Sequence, residues 1–191
     1  MIEKFLKAKH WQIFMITFGL PFLIQIIAMP MTIAGNDPMI MMKTFPIIMI
    51  LFTGGFLGWF WSIGVGLQNK VPTNVTMKVK KFKAFLIIPL IYILLISLSL
   101  GSMFKEAFEA IQEPRVGLMG GMVGIIFPLH LFSMFCLFYC LYFVTKTLKT
   151  VELQREVSFA DFAGEFFLIW FFPVGIWIVQ PKINKMIENN V

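Results

Sequence analysis

Charge is scarce in this sequence, and the scarcity excludes most of what such a chain could otherwise be. Asp, Glu, Lys and Arg make up 14% of its 191 residues, against about 25% in an ordinary soluble domain. A soluble fold of this size could not hide a chain that is 59% hydrophobic. A soluble enzyme, a nucleic-acid binder and a disordered regulator are therefore excluded. Cysteine is scarce too. Cys136 and Cys140 are the only two, and both lie in an apolar run. They share a helix face at i and i+4 and do not suggest a disulfide framework. The histidines are His10 and His130 alone, which argues against a bis-histidine haem. P-loop, H-E-x-x-H, G-x-S-x-G, dinucleotide and zinc patterns are all missing. The reading is therefore non-enzymatic, with no cofactor and no metal expected.

What the sequence has is long apolar runs. Four of them cover about 11–33, 45–67, 84–103 and 117–144. Each reaches the roughly 20 residues that cross about 30 Å of hydrocarbon. Each must be helical there, because lipid offers the backbone no hydrogen-bond partner. The first run exceeds the apolar stretch of about 7–15 residues in a secretory signal, so it reads as a retained helix. The expected fold is an all-α, polytopic integral membrane helical bundle, a single membrane domain over residues 1–191. A further short segment at about 159–180 is harder to assign. Its apolar part, Phe166 to Val179, has 14 residues, fewer than a full span needs. Ser158-Phe-Ala-Asp161 reads as a capping box, with Val157 and Phe162 placed as its hydrophobic staple. Pro173-Val-Gly175 then interrupts the run. The segment is either a re-entrant hairpin turning at Pro173 or a fifth, Pro-kinked span. The first is preferred, because Lys182 and Lys185 suit a cytoplasmic tail.

Basic residues set the expected orientation. With the N-terminus cytoplasmic, the inner segments hold 13 of the 16 Lys and Arg residues. Lys43, Lys105 and Arg115 remain outside. Cytoplasmic loops carry such an excess, so the net charge of +6 needs no nucleic acid to explain it. The expected location is a bacterial inner (plasma) membrane. Trp11, Trp59, Trp61, Trp170 and Trp177 all fall in or near the inner half, as an aromatic belt would. Outside, Phe104, Phe108 and Ile111 follow helical spacing while Glu106, Glu109 and Glu113 share another face. That pattern predicts a short helix on the outer surface.

Several patterns are candidate sites. Gly54, Gly58, Ser62 and Gly66 recur every four residues, a glycine-zipper spacing that lets a neighbouring helix approach closely. Gly117 with Gly121, and Gly120 with Gly124, repeat the idea. The seam serves packing within the chain or oligomerisation, and the first is preferred. Thr17, Pro21, Gln25, Ala28 and Thr32 form a stripe on the first span, and His130 lies in the fourth. Polar groups at such depth are costly and mark candidate functional positions. Gln25, His130 and Thr17 are thus candidates for a polar cavity, with backbone satisfaction as the plainer alternative. Lys78, Lys80, Lys81 and Lys83 could hold anionic headgroups, although topology alone accounts for them. The 14 methionines, clustered at 29–31 and 39–42, could ligate Cu(I), but irregular packing explains them better. Membrane lipids and either a second copy or a membrane-protein partner are expected; no nucleic acid is. The expected role is a small integral membrane subunit or assembly protein. The alternative is a small pore or transporter lined by Gln25, His130 and the glycine groove. A weaker third reading is a lipid enzyme using Glu106, Glu109 and Glu113, or Asp161 and Glu165.

Overall fold

The computed structural model describes residues 2–35, 39–112 and 116–188, and side-chain surroundings within these except at 100–123. The side chains of Gly117, Gly120, Gly121, Lys105, Glu106 and Glu109, and all of Glu113 and Arg115, lie outside what is described. The described residues are helical and contain no strand. The helices are α1 (Ile2–Lys7), α2 (His10–Phe14), α3 (Leu20–Gly35), α4 (Met39–Gly66), α5 (Val79–Gln112), α6 (Val116–Leu153), α7 (Phe159–Trp170) and α8 (Phe172–Glu188). Four stretches are long and apolar enough to cross a membrane: His10–Gly35, Met39–Lys70, Val79–Ser99 and Gly124–Leu153. The protein is thus a multi-pass helical chain of the integral membrane kind.

The first span is continuous but not uniform. Residues Met15–Gly19 form one π-helical turn between α2 and α3. Pro21 has no N–H for the carbonyl of Thr17, and its ring crowds that carbonyl. Widening the turn just upstream relieves the clash, and the Leu20 N–H donates to Met15 O instead. Prolines also sit inside α3, α4, α5, α6 and α8, at Pro30, Pro46, Pro89, Pro128 and Pro181.

Two expectations about helix ends are corrected. No separate helix begins at Phe104, because α5 runs unbroken to Gln112. The fourth helix does not stop at Val144 but continues to Leu153. There Thr145, Thr147 and Thr150 are fully buried, and the first two bond back to carbonyls one turn earlier. Such back-bonding lets a polar residue sit inside a helix bundle.

The C-terminal segment is a helix, a break and a second helix packed on the first. The break falls at Phe171 (φ −79°, ψ 62°), not at Pro173. Pro173 lies in the first turn of α8, where a missing N–H costs nothing. A helix continuing through Pro173 would push its ring against the carbonyl of Ile169, so the chain must turn before it. α7 and α8 then meet closely at Gly175. A Cβ there would collide with the Leu168 carbonyl oxygen and lie 3.0 Å from the Ile169 Cα.

Burial is concentrated at the end of the bundle that carries the basic residues, hereafter the basic half. Leu6, Ile13, Leu57, Trp59, Phe60, Ile63, Leu67, Phe82, Leu86, Val144, Leu148, Val151, Ile169, Ile176, Val179 and Ile183 form its core. Phe172, at the hairpin tip, packs among Phe18, Phe52, Phe56 and Trp59 with ring centroids 4.6–6.3 Å apart. Towards the far end many of the described apolar side chains are open, as at Phe22, Ile27, Ile33, Leu98, Ile125 and Phe127.

Candidate functional site

The glycine seam meets the chain's own first helix. A Cβ at Gly66 would lie 2.5 Å from Ile2 Cγ2 and 2.7 Å from Leu6 Cδ1. At Gly58 it would lie 3.1 Å from the Phe5 ring. Ser62 is buried between them and donates to Gly58 O at 2.8 Å. The seam ends there, because nothing lies within 4 Å of a Cβ at Gly54 or at Gly124. Two glycines outside the four-residue pattern are pressed at least as hard. Gly55 meets the Thr17 methyl, and a Cβ at Gly64 would lie 2.5 Å from the Phe82 ring.

A polar clasp holds α1 in that seam. α1 is only 6 residues long, so most of its carbonyls have no helical partner. Gln180 of α8 is fully buried and donates through Nε2 to Phe5 O, Leu6 O and Ala8 O at 3.1, 3.1 and 2.8 Å. Its Oε1 accepts from Trp59 Nε1 at 2.7 Å. Asn184, one turn on, donates to Leu6 O and Ala8 O at 3.0 and 3.2 Å. Three elements that are far apart in sequence are thereby joined through one amide.

Ion pairs tie the hairpin to α6. Glu165 accepts from Lys149 at 3.0 Å and from Lys182 at 3.1 Å, and Lys149 also lies 2.9 Å from Glu152. Asp161 is held by Arg155 at 2.7 Å and accepts from the Ser158 N–H at 2.8 Å. The Arg155 hydrogen bonds, then those from the Ser158 backbone and hydroxyl, hold the Asp161 carboxyl down at about 2. Asp161 and Glu165 are therefore both engaged in structural pairs.

The polar-cavity candidates are dispersed. Thr17 is fully buried, and its hydroxyl is spent on Ile13 O at 2.8 Å. Gln25 is half-buried on α3, which packs along α4, whereas α6 packs along α5 and α4. His130 is exposed at the surface of the chain. Its Nδ1 lies 3.1 Å from the hydroxyl of the buried Tyr92 on α5. An interior cavity shared by Gln25 and His130 is therefore not formed within one chain. His130 has a tyrosine partner because α5 and α6 bring positions 92 and 130 level.

Comparison with protein-family models, curated proteins and solved structures finds no match. The site must speak for itself. Among the described residues, no group of three or more His, Cys, Asp and Glu side chains could hold a metal ion. The cavity with a described lining, about 180 Å³ between α4, α6 and α7, is walled by Phe56, Phe60, Leu137, Leu141, Ile169 and Trp170 among others. It is apolar and offers no group for acid, base or nucleophilic chemistry.

The lysines at the start of α5 are open. Lys78, Lys80 and Lys81 are exposed and Lys83 is half-buried. Lys81 Nζ lies 5.1 Å from the centre of the Phe85 ring and 4.8 Å from that of Tyr139. Lys83 Nζ lies 5.4 Å from the centre of the Trp61 ring. Sequence reasoning missed Gln180, Asn184 and Trp59 as a unit. An amide next to Pro181 at the end of an apolar run was the one available signal.

Proposed function

We propose that the chain is a small integral membrane subunit or assembly protein whose far half is completed by other membrane helices. The observation that carries this reading is His130. Lys81 over Tyr139 brings α5 and α6 level near the membrane edge. From there Tyr92 lies 11 residues on and His130 nine residues back. At about 1.5 Å per residue these are depths of about 16 and 14 Å, near the middle of a hydrocarbon layer about 30 Å thick. An ionisable ring at that depth almost always faces protein or a watery cavity rather than lipid. Here it is exposed, so a neighbouring protein surface is what it calls for.

The test is photo-crosslinking from position 127 in native membranes, followed by gentle detergent extraction. A crosslinked adduct of fixed mass, lost in His130→Leu, supports the reading. Lipid adducts alone would refute it. A pore or transporter is the second reading, supported by the same Tyr92–His130 pair, which would line an opening if copies faced one another. A homo-oligomer with a central opening would favour it, and fixed stoichiometric partners would favour the subunit.

A further inference from the structure

We infer that the start of α5 binds an anionic phospholipid, with the headgroup phosphate on Lys80 and Lys83, one turn apart, Lys81 adding positive charge at the same depth, and an acyl chain along Ala84, Ile87, Ile91 and Leu95. This is independent of the assembly reading. The argument begins with helix geometry. Phe82 is fully buried and fixes the inward direction of α5. At 100° per residue, Lys81 and Lys83 point about 100° to either side of it and Lys80 about 160° away. The three ammoniums therefore fan around the outward half of the helix. Below them Ala84, Ile87, Ile91 and Leu95 all fall within about 40° of the direction opposite Phe82. Ile87, Ile91 and Leu95 are 44%, 52% and 58% exposed. That stripe is about 17 Å long at 1.5 Å per residue, the depth of one leaflet's hydrocarbon. A cationic fan above an apolar stripe of leaflet length matches a phospholipid's two chemical halves.

The lysines are also free to take a phosphate. The ion pairs among the described residues use Lys7, Lys149, Lys182 and Arg155, and none uses this cluster. Aromatic faces hold two of the ammoniums in place: Lys81 leans towards α6 and Lys83 towards α4. Ring contacts of this kind attract the cation without neutralising it. The charge is thus positioned before the lipid arrives, which lowers the ordering cost of binding.

The test uses the full chain in phosphatidylcholine bilayers with trace spin-labelled lipid. The readout is the motionally restricted fraction for phosphatidylglycerol relative to phosphatidylcholine. Phosphatidylglycerol is expected to be preferred at least about fivefold, the factor for one surface cation. The triple variant Lys80→Gln, Lys81→Gln, Lys83→Gln should lose the preference, and the matching arginine variant should keep it. Lys4→Gln, Lys7→Gln, Lys9→Gln removes the same charge elsewhere and should also keep it. Should the glutamine triple not fold, Lys81→Gln alone should lose about fivefold. Equal preference in the glutamine variants, or equal loss in the Lys4 set, overturns the site. Displacement by inorganic phosphate at matched ionic strength would also overturn it, since it would reveal a plain phosphate site.

Discussion

The two halves of this bundle are both rich in apolar side chains and, over the described residues, unequally packed. In the basic half, Trp59, Ile63, Leu67, Phe82, Val144, Leu148, Ile176 and Val179 are at most 1% exposed. In the far half, Phe22, Ile27, Ile33, Leu98, Ile125 and Phe127 are 61–71% exposed. Hydrophobicity cannot be the cause, because lipid tails are as apolar as leucine. What differs is shape and hydrogen bonding. The basic half has glycines under pressure at 55, 58, 64, 66 and 175 and a buried amide holding three carbonyls. The far half has open glycines at 35 and 124, and the outward-facing Gly54 and Gly164 are open as well. Helices in a bilayer pack where small residues let them touch and polar groups hold them.

Substitutions can break that contrast. The largest effect should come from Gly175→Val. Its branched side chain would run into the Leu168 carbonyl, and backbone cannot step aside as a flexible side chain can. A loss of about 4 kcal/mol is expected in unfolding titrations in mixed micelles, with α7 and α8 separating. Gln180→Leu should come next. It leaves the buried Trp59 Nε1 unpaired and takes one donor from each of Phe5 O, Leu6 O and Ala8 O, the last two keeping Asn184, for a loss of about 2–3 kcal/mol. Hydrogen exchange should quicken across residues 5–9 first.

Gly66→Leu against Gly54→Leu sharpens the comparison within one helix. The first should expel α1 at about 2 kcal/mol, and the second should stay within about 0.5 kcal/mol. Equal effects at the two positions would mean that small residues do not explain the packing. In the far half, Ile33→Ala should leave the isolated chain within about 0.5 kcal/mol of the parent in a thermal melt. The smallest effect concerns Asp161. Its carboxyl is held at about 2 against an ordinary 3.8, so its contribution is present above about pH 4. It is lost as pH falls from about 4 to 2. Exchange at the first turn of α7 should rise across that window, and Asp161→Asn should abolish the dependence.

The spans were legible because a bilayer allows one solution for a long apolar run. The Ser158–Asp161 box was legible because capping is local. Pro21 is plain in the sequence, but the remedy for its missing N–H, a π turn, depends on how the neighbouring turns relax. The seam at Gly58, Ser62 and Gly66 could be read, yet not its occupant. α1 is short and half charged, and nothing local shows that Gln180 will cap it. Gln25 and His130 matched in depth along their own helices, but which helices pair is a long-range outcome. It set His130 beside Tyr92 instead. The break came two residues before Pro173 because a proline disturbs the turn that precedes it.

The clasp at Gln180 has a consequence for the order in which the protein is made. The carbonyls of Phe5, Leu6 and Ala8 leave the ribosome more than 170 residues before the amide that satisfies them. At 5–20 residues per second, that is a wait of about 9–35 s. For that time the nascent first helix must borrow its hydrogen bonds from water at the membrane edge or from the insertion machinery. Its final seating therefore waits for α8, although its own residues are synthesised far earlier.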